Sequence, residues 1–328
     1  MAKHDVTLTA PPAKESVRTA SRQTLFVLVL LALALAAPFG IYPVFLMKAL
    51  CFALFASAFN LLLGYVGLLS FGHAMFFGWS AYVTAHAAKE WGLTPELAIL
   101  AGVALSAAMG AVVGWLAIRR QGIYFAMITL ALAQLTFFLA VQAPFTHGED
   151  GIQGVPRGHL FGVIDLHDTL TMYYFVLAVF VAALLFLYRV VHSPFGQVLK
   201  AIRDNEPRAI SLGYQVERYK LVAFVLSASL AGLAGSVKSL VFQLASLADV
   251  HWHASGEVVL MTLLGGVGTV FGPTVGAFLV VTIQNYFSEA GSWVTIIQGI
   301  IFVICVLAFR SGIVGVLAPF LKKRGIQA

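Results

Sequence analysis

The sequence predicts an all-α polytopic membrane protein of about ten transmembrane segments, including two glycine-broken helix pairs, with both termini cytoplasmic. Three observations carry this. Of 328 residues, 60% are hydrophobic and only 10% charged, against roughly a quarter charged in a soluble domain, and the mean hydropathy is +0.92. The apolar runs are long and unalternated, which selects helices over barrel strands as the way to satisfy every backbone polar group in lipid. The basic residues are clustered: 16 of 20 fall in the N-terminal tail (Lys3, Lys14, Arg18, Arg22), at Arg119 and Arg120, between Arg189 and Lys220, and at the end (Arg310, Lys322, Lys323, Arg324). Such clusters mark cytoplasmic segments and so set orientation. The same numbers exclude a soluble fold, a disordered chain and a disulfide scaffold. They also exclude a nucleic-acid module, which needs a basic face on a soluble domain. Cys51 and Cys305 lie in apolar runs, as core-filling residues do.

The elements follow in order. Residues 1–23 form a cytoplasmic tail, and the uncharged run 23–47 supplies a first outward span over 24–41. The stretch LFVLVLLALALAA also has the length of a signal-peptide core. The long polar tail before it and Phe39, Ile41 and Tyr42 after it favour a retained span. The next uncharged stretch, 49–88, is 40 residues, enough for two crossings if the chain turns in the middle. Gly64, Gly67, Ser70 and Gly72 provide the turn, giving spans over 44–63 and 69–88. Residues 97–118 run inward to Arg119, and 122–142 run outward. The loop 143–170 is then external, with four acids against Arg157 alone. Residues 171–188 return to a cytoplasmic loop at 192–219, and 220–241 lead out again.

The stretch 258–288 holds 31 uncharged residues, about 46 Å as one helix, too long for a hydrocarbon core of about 30 Å and too short for two ordinary spans. Gly265, Gly266, Gly268, Gly272 and Pro273 break it into pieces over 255–267 and 272–288. A last span over 293–310 closes a membrane domain of 24–311, followed by a cytoplasmic tail over 312–328. Lys48, Lys89, Arg157 and Lys238 depart from the positive-inside pattern. The two breaks, GYVGLLSFG (64–72) and GGVGTVFGP (265–273), resemble each other. The likeness fits an internal duplication around a transport pathway, or simply close packing at glycines.

The cytoplasmic stretch HSPFGQVLKAIRDNEPRAISLGYQVERYK (192–220) reads as two short helices. Ser193 caps the first with Pro194 at its first position, Asp204 or Asn205 caps the second, Pro207 sits in its first turn, and Gly213 ends it. On pattern alone it is either an amphipathic interfacial loop or a docking element.

The order of motifs resembles the LivM-type permeases, membrane subunits of bacterial ABC importers for branched-chain amino acids and related small polar substrates. The resemblance covers roughly residues 44–311. It rests on NLLLGYVGLLSFGHAMFFGWSAY (60–82), the 144–156 loop, SPFGQVLKAIRDNEPRAISLG with RYKLVAFVLSASLAGLAG (193–235), and GEVVLMTLLGGVGTVFGPTVGA (256–277). It implies that the 192–219 loop docks on an ATPase, through Lys200, Arg203, Glu206, Arg208, Ala209 and Gly213. It also implies that the external loop PFTHGEDGIQGVP contacts a periplasmic substrate-binding protein, through Glu149 and Asp150. His147 there stands where the family pattern has glycine.

Polar groups inside spans mark either a pathway or a satisfied interhelical hydrogen bond. Asn60, Ser70, His73, Gln134 and Glu257 are the pathway candidates, joined by Gln284 and Asn285. No phosphate-binding loop, HExxH or CxxC occurs. His251 and His253 flank Trp252, as solvated neighbours of an interfacial aromatic would. The expectation is a transport subunit, not an enzyme, of the bacterial inner membrane. It carries no cofactor of its own. ATP and magnesium belong to two cytoplasmic ATPase partners, beside a second homologous permease, an external binding protein and membrane lipid, with no nucleic acid. The rivals are an ion-coupled secondary carrier for a small polar solute, for which only Glu257 and Lys48 approach the coupling role, an intramembrane enzyme, and an ABC permease for urea or short amides. No residue discriminates among these substrates.

Overall fold

The computed structural model describes residues 29–287, Ile296, Gly299, Ile300, Val303 and residues 312–315. The expected N-terminal tail lies outside the described residues, as do nearly all of the last span and the C-terminal tail. Apolar helix α1 covers Val29–Phe39. Helix α2 (Pro43–Asn60) opens on a proline, which needs no amide partner there. Instead of stopping near 63, it widens into a π-helical turn over Leu61–Val66 and ends at Gly67, whose φ of 81° favours glycine. Because the turn occupies 67–72, α3 begins only at His73 and runs to Lys89. Helices α4 (Pro95–Ala117) and α5 (Ile123–Gln142) follow, joined through Arg119, Arg120 and a left-handed Gly122.

Helix α6 (Thr169–His192) is capped by Asp168, which accepts from the Thr171 amide and hydroxyl. These donors hold the Asp168 carboxyl below the usual aspartate range. The short helices α7 (Pro194–Asp204) and α8 (Glu206–Ser211) are capped by Ser193 and Asn205, which accept from Gly196 and Arg208 amides. Helix α9 (Val216–Phe242) then leads to α10 (Trp252–Gly265) and α11 (Gly272–Tyr286), the second glycine-broken pair.

Five of these helices are long and apolar enough to cross a membrane: α2 with its π turn, α4, α5, α6 and α9. Helices α3, α10 and α11 are shorter, at 17, 14 and 15 residues. The layout is concentric. Over its most apolar window α2 is 94% buried, against 22% for α5, so α2 is the central helix and α5 is peripheral. Helices α6, α9, α10 and α11 pack around α2, while α3 and α4 pack on α9. The α3–α4–α9 contact runs through small residues, as membrane helices without a hydrophobic drive between them require. A Cβ on Gly235 would collide with the Phe77 carbonyl, and Thr84 Oγ1 donates to Ser236 Oγ at 2.8 Å.

The connections gather at two ends. The turns 67–72 and 266–271 and the 193–215 loop meet at the basic end, as Arg203, Gly64 and Gly268 attest. At the opposite end, β1 (Ile152–Gln153) pairs antiparallel with β4 (Leu244–Ala245), and β2 (His159–Leu160) with β3 (Ile164–Asp165).

Candidate functional site

The site is built where the two glycine turns meet. Asn60, the last residue of α2, is buried, and its carboxamide is spent entirely on the second turn. Nδ2 donates to the Thr269 carbonyl at 2.8 Å and Oδ1 accepts from the Gly268 amide at 2.9 Å. The backbones can approach because Gly64 faces Gly268: a Cβ on Gly64 would stand 2.6 Å from the Gly268 nitrogen. Each turn is also closed locally. Ser70 accepts from the Gly72 amide, and Thr269 accepts from the Gly272 amide while donating to Gly266. Of the expected helix breaks, Gly67, Gly266 and Gly268 take positive φ, whereas Gly64, Gly72, Gly265 and Gly272 serve close approach. Pro273 opens α11.

The amphipathic loop reaches this clasp through one side chain. Arg203, near the end of α7, donates from Nη1 to the Gly64 carbonyl at 2.6 Å, and its other nitrogens bind Asp204 Oδ1 at 3.0 and 3.1 Å. Lys200 lies over the Tyr65 ring. Glu206, at the start of α8, pairs with Lys220 of α9 at 2.7 Å, with side-chain exposures of 21% and 4%. Ala209 is buried with Ile202 and Val216, which pins α8 to α9. A cleft of about 390 Å³ opens between the first turn, Gln121 and this loop, lined by Gly67, Arg203, Asp204, Glu206 and Lys220. Arg208 and Gly213 are exposed, as are Ile210 and Leu212, at 57% and 69%. The two aliphatic side chains are functional candidates that the charge-centred reading of the loop passes over. The signal for them is their position: apolar residues at the end of a short, polar helix, Ile210 within it and Leu212 just after it.

The remaining candidates are spread out. His73 is buried and ringed by Phe59, Phe76 and Phe224. Its Nε2 lies 2.8 Å from Ser227 Oγ, which itself donates to the Ala58 carbonyl at 2.6 Å. With its hydrogen committed, Ser227 accepts, so Nε2 carries the histidine proton. Gln134 is half-buried on α5. Glu257 accepts from Gln284 Nε2 at 3.1 Å and lies within electrostatic range of Lys48. These two sit toward the end opposite the glycine turns, as the helix directions require.

Also at that end, Glu149 and Asp150 are exposed in a single turn over Gly148–Asp150. His147 precedes them at φ 59°. Histidine tolerates this left-handed geometry better than most side chains, and it explains why a glycine suits the position. Three of the four basic residues that depart from the positive-inside pattern have hydrogen-bond or ion-pair partners within the chain. Lys89 donates to Gln153, Arg157 to Val241, and Lys238 pairs with Asp249.

Comparison with known proteins agrees with this architecture. Residues 41–308 match the family described as branched-chain amino acid transport system, permease component. The high-affinity branched-chain amino acid transport system permease protein LivM of Salmonella typhimurium is 28% identical over 94% of this chain and 78% of its own length. The protein of that name from Escherichia coli is 26% identical over 92% and 77%. The ribose import permease protein RbsC of Bacillus subtilis is 27% identical, but over 55% of this chain and 58% of its own. A match that covers both glycine turns and the whole loop between α6 and α9 leaves no gap in the site: this chain belongs to the branched-chain amino acid transport system permease family.

Proposed function

We propose that this chain forms half of the translocation pathway of an ATP-binding-cassette importer for branched-chain or related small amino acids in a bacterial inner membrane. It pairs with a second, homologous permease. Two cytoplasmic ATPases, which bind ATP and magnesium, dock on the 192–219 loop, and a periplasmic binding protein docks at Glu149 and Asp150. The chain crosses the bilayer about ten times with both ends in the cytoplasm, an orientation supported by the basic clusters. The substrate class is supported by the LivM proteins that match nearly the whole chain.

One observation carries the mechanism. Arg203 belongs to the docking loop, yet its guanidinium holds the Gly64 carbonyl of the first glycine turn, and that turn is clasped to the second by Asn60. Movement of the loop, imposed by closure of the ATPases, pulls directly on both breaks in the pathway. Pathway access then follows the state that the ATPases favour, since only differential affinity for the two states shifts the equilibrium. No covalent chemistry falls to this chain.

The experiment is a mild-detergent purification of the tagged protein from its native host, with mass spectrometry of what accompanies it and uptake assays on the intact cells. An ATPase and a second permease in the eluate, with amino-acid uptake lost on gene deletion, is the expected result. A homo-oligomer without an ATPase, repeated in several detergents, would overturn the reading in favour of an ion-coupled carrier. Uptake of urea, amides or sugars alone would keep the importer and replace the substrate.

A further inference from the structure

Three polar side chains from three helices converge inside the membrane domain, away from the clasp. Lys48 stands five residues into α2, and Glu257 stands five residues into α10. Both are about 8 Å from the helix ends opposite the glycine turns, at 1.5 Å per residue. Gln284, near the end of α11, donates to one oxygen of the Glu257 carboxylate at 3.1 Å. Lys48 and Glu257 are within electrostatic range of each other. Among the described residues they form no direct ion pair, whereas Glu206 with Lys220 and Lys238 with Asp249 do. The nearby Lys238 is thus already committed, and His253 is a further neighbour of Glu257.

Both charges are half-buried. Charges within membrane-spanning helices are costly in hydrocarbon and face the bundle interior, a water-filled path or a partner, and Glu257 is turned toward the bundle by its bond to Gln284. Opposite charges that form no ion pair with each other, one on the central α2 and one on α10 packed against it, match a ligand that carries both signs on groups attached to one carbon.

We infer that Lys48 and Glu257, with Gln284 orienting the carboxylate, form a zwitterion subsite in the outer part of the pathway, Lys48 taking the substrate α-carboxylate and Glu257 its α-ammonium. This rests on the amino-acid reading above and adds the residues that recognise the backbone of the substrate, leaving its side chain free to vary. Charge-assisted hydrogen bonds of this kind are the strong ones available to a protein.

The test is uptake of radiolabelled leucine by the source strain deleted for this gene and complemented with the full-length chain, with membrane abundance and ATPase co-purification followed for every variant. Lys48→Met and Glu257→Gln each lower uptake about tenfold or more, as loss of a charge-assisted bond predicts. Lys48→Arg keeps most of it. The double variant Lys48→Met with Glu257→Gln stays as low as either single one. Were the two charges serving only each other, removing both would leave none uncompensated. Recovery in the double variant, or wild-type uptake in either single variant at normal abundance, overturns the subsite. Should Lys48→Met fail to accumulate, Lys48→Gln carries the same expectation. If the wild-type chain itself supports no amino-acid uptake, the reading beneath falls first and takes the subsite with it, a failure visible before any variant is made.

Discussion

At the scale of single residues, one carboxamide does what no helix does: Asn60, at the end of α2, bonds Gly268, 208 residues further along the chain, and so ties the first glycine break to the second. Asn60 is buried and its two bonds are part-buried, so truncation leaves the Gly268 amide and the Thr269 carbonyl without this partner. An unsatisfied buried group costs about 1–3 kcal/mol. Asn60→Ala therefore lowers the thermal midpoint of the purified complex by a few degrees and uncouples ATP hydrolysis from uptake. An unchanged midpoint with normal uptake would show that the clasp is ornamental. The sequence announces Asn60 only as a polar residue in a span. Its partners are backbone groups of a distant turn, and backbone groups have no signature in a sequence. Arg203 is hidden for the same reason, because its acceptor is the Gly64 carbonyl. His147 is the opposite case. Its left-handed backbone is foreshadowed by the glycine that the family pattern places there.

At the scale of elements, the loop between α6 and α9 is the part most legible in advance. Ser193, Pro194, Asn205, Pro207 and Gly213 are local signals, read within a few residues, and the caps form where those signals stand. What they do not reveal is that Glu206 is paired with the nearly inaccessible Lys220. Breaking a buried pair on one side costs about 3–5 kcal/mol, and the partial exposure of Glu206 points to the lower end. Glu206→Ala therefore detaches α8 from α9 and is detected as early proteolysis of the loop, whatever its effect on docking. A loop as protease-resistant as wild type would remove the pair from this account. Exposed residues give the cleaner probe of docking. Leu212→Asp and Arg208→Ala touch no buried partner and leave the fold intact, so loss of ATPase co-purification from either reports the interface itself. Retention of the ATPase by both would move the docking face elsewhere on the loop.

At the scale of the whole molecule, hydropathy outlines the long helices, because an unbroken apolar run has few alternatives in a membrane. It does not separate the central α2 from the peripheral α5, since both are apolar around their circumference and differ only in what covers them. The starts of α3 and α10 lie away from the positions that the apolar runs suggest, at His73 rather than 69 and at Trp252 rather than 255, whereas α11 begins at Gly272 as expected. Orientation is the remaining large-scale property, and it yields a direct measurement. The clasp, the docking loop and Arg203 gather at one end, whereas Glu149 and Asp150 lie at the other with the β1–β4 pair. In a background with Cys51 and Cys305 replaced by alanine, Glu149→Cys in intact cells freed of their outer membrane reacts with a membrane-impermeant maleimide from outside. Leu212→Cys reacts only after the inner membrane is opened. The positive-inside bias requires this order, because the loop bearing Leu212 belongs to a stretch with six basic residues between Arg189 and Lys220. Labelling of both from the outside would break the link between the docking loop and the cytoplasm. The pull of Arg203 on the glycine turns would then have no ATPase to drive it.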